Sequence, residues 1–169
     1  MEKFTTAFID SLAQKSALKR LSREYCWEDD TIEVYLDKID MTELARNHRV
    51  LWSEAMLDRV KDRLDWETFS HFAPCGVLTK DFLQKYADYW FWDVLSANPN
   101  LPPDVLYEFA HKFDWSRVIR NRGLMEFMGM GFLKDFEKYI PADGLTESIL
   151  WKAIVKEKEE LMKFKLNSL

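Results

Sequence analysis

The sequence predicts an all-α protein, built as an α-solenoid-like array of short helix pairs with a repeat of about 25 residues. Three observations support this fold class. A nine-residue pattern recurs four times, and each copy is followed by apolar residues at helical spacing. Glycine and proline are scarce, with five of each in 169 residues, which favours a compact helical chain. We expect a single domain over residues 1–169, with repeats over 27–140.

The first helix of each pair is predicted from "IDMTELARN" (39–47), "LDWETFSHF" (64–72), "WFWDVLSAN" (90–98) and "FDWSRVIRN" (113–121). The third position holds Met41, Trp66, Trp92 and Trp115, at spacings of 25, 26 and 23 residues. A binding site seldom repeats so regularly, so we interpret these tryptophans as packing residues between layers of helices.

The second helix of each pair is predicted from apolar residues at i, i+1, i+4 and i+8, which share one face of an α-helix. The copies are Met56, Leu57, Val60 and Leu64; Phe82, Leu83, Tyr86 and Trp90; Val105, Leu106, Phe109 and Phe113; and Phe132, Leu133, Phe136 and Ile140. An earlier partial copy is Ile32, Tyr35 and Ile39.

Local chemistry predicts where these helices begin and end. The expected N-caps are Asp40, Asp65 and Asp114 for the short helices, and Ser53 and Thr79 for the longer ones. Pro103 is expected at a first helical position, where its missing N–H costs nothing. The short helices are expected to end at Asn47, Asn98 and Asn121, because Asn tolerates left-handed backbone and forms local hydrogen bonds.

Both ends depart from the repeat, as the terminal caps of solenoids do. Residues 1–26 are predicted as an N-terminal cap helix, whose apolar residues are Phe4, Phe8, Leu12, Leu18 and Leu21. Residues 141–169 are predicted as a C-terminal cap helix that begins at Thr146. The segment "VKEKEELMKFK" within it is interpreted as a solvated charged face.

The third unit carries a motif of the form DWxxLSxNPNL, best matched at Trp92, Leu95, Ser96, Asn98, Pro99, Asn100 and Leu101. With this motif, residues 39 to 140 resemble uncharacterised tandem helical-repeat proteins of bacteria and of large DNA viruses. The match weakens where Met41 replaces Trp and Phe72 replaces Asn. The resemblance implies the repeat architecture, and it implies no activity.

Composition predicts a cytoplasmic protein that does not enter membranes. No apolar run approaches the roughly 18 residues that span a bilayer, and Asp10 interrupts the place where a signal peptide would be apolar. Cys26 and Cys75 are isolated, which is typical of a reducing compartment. Residues 27–146 hold 14 Lys and Arg against 22 Asp and Glu, a net charge of −8. That charge disfavours nonspecific binding to nucleic acid.

No motif in the sequence predicts catalysis, a metal site or a cofactor. His48, His71 and His111 lack the spacing of metal ligands. Ser70 adjoins His71, but neighbouring residues on a helix point about 100° apart and cannot pair as nucleophile and base. The segment "MGMGF" lacks the Lys and Ser/Thr of a phosphate-binding loop. We therefore expect a protein that is not an enzyme.

Two groups of residues are candidate partner-binding sites. The first is an arginine strip at the ends of the short helices, Arg46, Arg49, Arg117, Arg120 and Arg122, with His48 beside it. The second is a Met/Phe segment at 123–133, with Met125, Phe127, Met128 and Met130. The alternatives are solvated charge for the strip and covering of the core for the segment.

The function that the sequence favours is a non-enzymatic helical-repeat module for protein–protein interaction, an adaptor or regulator, because repeat arrays supply extended binding surfaces. The alternative is a nucleic-acid-associated factor, or an inhibitor that uses its acidic surface against a nucleic-acid-handling enzyme. Arginine guanidinium groups could serve an acidic protein segment or a phosphate backbone.

Overall fold

A computed structural model of the protein describes residues 6–168, and within this range all regular secondary structure is helical. The predicted all-α class is confirmed. The chain divides between Val77 and Leu78 into two compact units, which we call the N-terminal and C-terminal units. A single domain over 1–169 stays a prediction.

Apart from α1 and α11, the helices have at most seven residues, and they follow one another closely. The N-terminal unit contains α1 (Thr6–Glu24), α2 (Asp29–Tyr35), α3 (Met41–Ala45), α4 (Glu54–Val60) and α5 (Trp66–Phe72). The C-terminal unit contains α6 (Lys80–Lys85), α7 (Trp92–Leu95), α8 (Asp104–Phe109), α9 (Trp115–Val118), α10 (Met130–Phe136) and α11 (Ile149–Leu166). The C-terminal unit also contains a 3-10 helix over Arg122–Phe127, called the 3-10 helix below, which lies between α9 and α10. A single 3-10 turn over Leu145–Glu147 lies between α10 and α11.

The predicted apolar faces form most of the core. All four predicted residues of α4 and its C-terminal turn are buried, as are all four of α8 and its C-terminal turn. Tyr35 is an exception, because its ring is about half exposed. The ring lies beside the buried Trp27, and the two ring centroids are 5.9 Å apart. In the N-terminal unit α1 contacts α3, α3 contacts α5, and α2 contacts α4.

Each of the three aligned tryptophans makes the same hydrogen bond. The indole N–H of Trp66 donates to the carbonyl of Lys61 at 2.7 Å, and that of Trp115 to Ala110 at 2.7 Å. Trp92 donates to the carbonyl of Ala87 at 3.0 Å. In each case the acceptor lies five residues earlier. The indole therefore satisfies a carbonyl just before the short helix begins.

Each unit contains a buried serine–asparagine network. In the N-terminal unit Asn47 Nδ2 donates to the carbonyls of Ser22 (2.9 Å) and Tyr25 (2.8 Å), and Asn47 Oδ1 accepts from Arg49 N. Ser22 Oγ donates to Leu18 O and accepts from Asp40 N. The side chains thus satisfy backbone groups of segments about 20 residues apart in sequence.

The C-terminal unit contains the same network. Asn121 Nδ2 donates to the carbonyls of Ser96 (3.0 Å) and Asn98 (2.9 Å), and its Oδ1 accepts from Gly123 N. Ser96 Oγ donates to Trp92 O and accepts from Asp114 N. The chain separations match those of the first network to within one residue.

The predicted caps are confirmed where aspartate, serine or threonine was expected. Asp40, Asp65, Asp114, Ser53 and Thr79 each accept a hydrogen bond from a backbone N–H of the first turn. Each bond satisfies an amide that has no partner within its own helix.

Two local predictions are wrong. Within residues 6–168 only a glycine, Gly144, has positive φ, so the asparagines act through local hydrogen bonds from their Oδ1 atoms and not through left-handed backbone. The predicted place of Pro103 is right to within one residue, because it is the N-cap of α8 and has helical dihedrals (φ −67°, ψ −26°). The last helix begins after Ser148, whose hydroxyl accepts from Trp151 N, and not at Thr146. Both serine and threonine can cap, and the sequence offers both within three residues.

Helices are present at both ends of the described residues, but they are only partly packed. Phe8, Leu12 and Leu21 on α1 remain nearly half exposed, and Phe4 lies outside the described residues. In α11, Leu150 and Ile154 are buried, whereas everything from Val155 to Leu166 is exposed. Among the helices of residues 6–168, none has the combination of length and apolar character that crossing a bilayer requires.

Candidate functional site

The arginine strip was predicted from residues of both units. In the N-terminal unit Arg46 pairs with the nearly buried Glu43, at 3.8 Å, and its guanidinium lies over the ring of Phe72, 5.8 Å from the centroid. Lys19 and Arg23 reach the same carboxylate at 3.7 and 3.8 Å. Arg46 therefore belongs to a basic cluster around Glu43, defined here as Lys19, Arg23 and Arg46. Arg49 and His48 are exposed beside it in sequence.

In the C-terminal unit two of the predicted arginines serve the fold. Arg117 pairs with Asp114 at 3.3 Å and with Asp93 at 3.7 Å. Arg120 donates to the carbonyls of Ser116 (2.7 Å) and Gly144 (3.0 Å), and so fixes the turn before α11. These contacts account for both side chains without a partner protein. A strip that runs through all five arginines stays a prediction.

The predicted Met/Phe segment is mostly helical. Residues 122–127 form the 3-10 helix, and α10 begins at Met130. Asn121 caps the 3-10 helix through Gly123 N, and Gly123 approaches the Pro99 carbonyl so closely that a Cβ would collide with it. The backbone there is therefore fixed against the turn at Pro99.

A groove lies between this segment and α11. It is lined by Arg122, Met125, Glu126 and Met128 on one side and by Ile149, Lys152, Ala153, Lys156, Glu157 and Glu160 on the other. We call it the α11 groove, and its volume is about 770 Å³. It brings together three predicted site residues, Arg122, Met125 and Met128. Phe127 and Met130 do not line it.

The α11 groove has an apolar floor and a mixed charged rim. Met125 is 56 % exposed, whereas Met128 is buried and serves mainly the core. The α11 residues at 149, 153, 156 and 160 follow one helical face. The rim carries three basic and three acidic side chains. An amphipathic helix with an apolar stripe and flanking charges fits such a surface.

Glu157 connects α11 to the start of α10. Its Oε2 accepts a hydrogen bond from Met130 N at 3.0 Å. Gly129, the N-cap residue of α10, has no side chain to make this bond, and Glu157 Oε1 occupies the place of its Cβ. The glutamate thus caps α10 from another helix, and it fixes the distance across the groove.

The contribution of α11 to the site was not predicted from the sequence. The sequence predicts residues 155–165 as a solvated charged face, and their exposed side chains agree with that interpretation. Only the contact of α11 with the 3-10 helix, a pairing about 30 residues apart in the chain, turns that face into a groove. The helical spacing of Ile149, Ala153 and Lys156 was the available signal.

The pKa values of Asp65 and Tyr107 are displaced, and neither side chain lines the α11 groove. Burial raises the pKa of Asp65, but hydrogen bonds from Thr68 N, the Thr42 hydroxyl and the Thr68 hydroxyl, together with the nearby Arg46, outweigh burial and lower it. A hydrogen bond to Asp135 raises the pKa of Tyr107. Within residues 6–168 no three His, Cys, Asp or Glu side chains are grouped as metal ligands would be.

Comparison with known proteins finds a viral relative. The chain is 26 % identical over 141 residues to an uncharacterised 54.7 kDa protein, encoded in the IAP1–SOD intergenic region of Autographa californica nuclear polyhedrosis virus. The match covers 83 % of this chain and 28 % of that protein, so the chain spans less than a third of the relative's length. No protein-family model and no solved structure matches the chain.

Proposed function

We propose that the protein is a non-enzymatic helical-repeat module that binds an amphipathic helix of another protein in the α11 groove. The observation that carries the proposal is the half-exposed Met125, which lines the α11 groove together with Ile149 and Ala153 of α11. Apolar side chains between charged rims suit the apolar stripe of a partner helix. Methionine adapts its shape to such a partner at little cost.

The proposed repeat architecture has independent support. The tryptophan hydrogen bonds and the two serine–asparagine networks recur at equivalent positions of the aligned segments. In a stacked array each helix pair would present the same edges to the neighbouring pairs, so the same hydrogen bonds would recur. Such arrays bind partners on extended surfaces, which agrees with an adaptor or regulator role.

The test compares partners captured from the native cell by the wild-type protein and by Met125→Glu. The glutamate would place a charge on the apolar floor, so partners that use the groove should be lost while the helical circular dichroism signal is retained. Val34→Glu is the matched control, because Val34 is an exposed apolar residue on α2. Partners kept by Met125→Glu, or lost equally with Val34→Glu, would contradict the proposal.

Arg117→Glu combined with Arg120→Glu tests the arginine strip in the same experiment. Both side chains already hold backbone or carboxylate groups. We therefore expect this variant to lower the thermal stability of the protein, and to lose partners only as a consequence. Loss of partners at unchanged thermal stability would instead indicate that partners bind to the arginine strip.

The basic cluster around Glu43 supports a second candidate function, binding of a nucleic-acid backbone. Lys19 also borders a depression with Lys15 and Lys38, so this side of α1 is basic although the chain as a whole is acidic. Lysine and arginine contacts to phosphates would release counterions, so affinity would fall steeply with salt.

Fluorescence anisotropy with labelled single-stranded and double-stranded oligonucleotides checks this candidate at two salt concentrations. Binding that weakens as salt rises, and that Lys19→Glu abolishes, would support it. No binding of single or double strands at low salt would exclude it. Lys158→Glu on α11 is the control for a mere change in net charge, because Lys158 lies in the C-terminal unit.

A further inference from the structure

A second concave site lies on the C-terminal unit, between α8 and α10. Its walls are aromatic, formed by Tyr107 of α8, Phe127 of the 3-10 helix, and Phe132 and Phe136 of α10. We call it the aromatic pocket, and its volume is about 350 Å³. Phe127, which does not line the α11 groove, therefore has a place in another site.

The rings are arranged with buried residues at the base and exposed residues at the mouth. Phe132 and Phe136 are buried with centroids 4.9 Å apart, and Tyr107 lies 4.7 Å from Phe136. Tyr107 is 63 % exposed and Phe127 is 53 % exposed. Two large rings are thus left in contact with water at the rim, where folding alone gains little from them.

The charged side chains that line the aromatic pocket are both acidic, Asp104 and Asp135. The Tyr107 hydroxyl donates to Asp135 Oδ2 at 2.7 Å. This bond fixes the ring of Tyr107 relative to α10 and leaves Asp135 Oδ1 for another donor. Ring faces and carboxylates together create a region of negative potential at the mouth.

We propose that the aromatic pocket binds an alkylammonium group, the head of a lysine side chain from a protein partner. Aromatic faces attract such cations through their quadrupole, and they accept the methylene groups of the same side chain by apolar contact. The carboxylates of Asp104 and Asp135 supply charge complementarity. Only the source of the cation rests on the proposed protein-binding function.

The first experiment titrates the full-length protein with choline, followed by saturation-transfer NMR and by the shift of the N-methyl protons. Ring currents should move this resonance upfield. The neutral isostere 3,3-dimethylbutan-1-ol has the same shape without the charge. We expect choline to bind at least about threefold more tightly, as a cation–π contribution implies. Equal binding of the two probes would overturn the proposal.

Gly131→Leu blocks the pocket while preserving the fold. Gly131 lines the pocket on α10, its missing Cβ would meet nothing within 4 Å, and leucine favours helix more than glycine does. Phe127→Ala removes one wall, and Phe164→Ala removes an exposed ring on α11 outside the pocket as a control. Choline affinity should fall at least about threefold in the first two variants only. Unchanged affinity in Gly131→Leu would overturn the proposal.

The second experiment determines the source of the cation. A short Gly/Ser peptide with one central trimethyl-lysine or lysine is compared with the same peptide carrying acetyl-lysine, which has no charge. Binding of the charged peptides alone supports a lysine partner. Binding of choline without the peptides would overturn the lysine assignment. Met125→Glu leaves the aromatic pocket intact, so failure of either proposal can be distinguished.

Discussion

At the scale of single residues, Asp65 connects two helices through one carboxylate. Its Oδ1 caps α5 through Thr68 N at 2.9 Å, and its Oδ2 accepts from the hydroxyl of Thr42 on α3 at 2.8 Å. Hydrogen bonds to the charged form hold the pKa of this carboxyl below its usual value, against the opposing effect of burial. The carboxylate therefore stabilises the N-terminal unit most when it is ionised.

Replacing Asp65 should show this contribution directly. Asp65→Ala should lower the free energy of unfolding by about 1–2 kcal/mol at pH 7, as for other lost N-caps. The folded-state pKa is lowered, so the stabilisation is complete above the unfolded pKa of about 4 and is lost as pH falls through the folded value. Urea denaturation at pH 7 and pH 3 measures both effects.

The control is Glu67→Ala, an exposed residue in the first turn of the same helix, which should change stability by less than about 0.5 kcal/mol. A larger destabilisation by Asp65→Ala at pH 3 than at pH 7 would contradict the conclusion that the ionised carboxylate is the stabilising form.

Two glycines of the C-terminal unit should respond in opposite directions to the same change. A Cβ on Gly123 would collide with the Pro99 carbonyl, so Gly123→Ala should cost about 1–3 kcal/mol through backbone displacement. Gly131 lies in α10 with open space around it, so Gly131→Ala should stabilise by about 0.5–1 kcal/mol. Thermal unfolding of the pair measures the difference, and a shift of equal sign would show that the Pro99 contact is not rigid.

At the scale of helices, the sequence predicted the α-helices but not the hydrogen bonds that connect them. The helical spacing of Met56, Leu57 and Val60 and the caps at Ser53 and Asp65 depend on neighbours within a few residues, so local chemistry is enough to predict them. The hydrogen bonds that Ser22 and Ser96 accept were not predicted, because the donor amides lie 18 residues away in the chain.

The serine–asparagine networks predict a matched pair of effects. Asn121→Ala would leave two buried carbonyls and the Gly123 amide without a side-chain partner, at a cost of about 3 kcal/mol. Asn47→Ala removes the same three bonds in the N-terminal unit and should cost a similar amount. Denaturant unfolding checks both variants.

His48→Ala is the control for the asparagine variants, because His48 is exposed and adjoins Asn47. Asn121→Asp sharpens the test. It keeps the shape of the side chain but turns a carboxylate oxygen toward the carbonyls of Ser96 and Asn98, so it should cost at least as much as alanine. An aspartate tolerated at neutral pH would contradict the network.

At the scale of the whole molecule, the sites depend on contacts that composition does not reveal. Met125 and Phe127 were predicted as one adaptable segment, yet the 3-10 helix turns them toward different sites, the α11 groove and the aromatic pocket. A 3-10 helix places residues two apart on different sides. The sequence identified the segment because methionine and phenylalanine side chains cluster there among three glycines, but the partner elements α8 and α11 come from tertiary packing.

Protection of backbone amides from hydrogen exchange should follow the burial of each helix. Amides of Leu57 and Leu106 lie in helices whose predicted faces are fully buried, so they should exchange slowly. The early turns of α1 and the last turns of α11 expose their apolar side chains and should exchange faster by orders of magnitude. Mass spectrometry of deuterium uptake at low protein concentration measures this profile. Strong protection of Phe8 to Leu12, or of Leu161 to Leu166, would mean that another copy of the chain covers these faces, and protection would then rise with concentration.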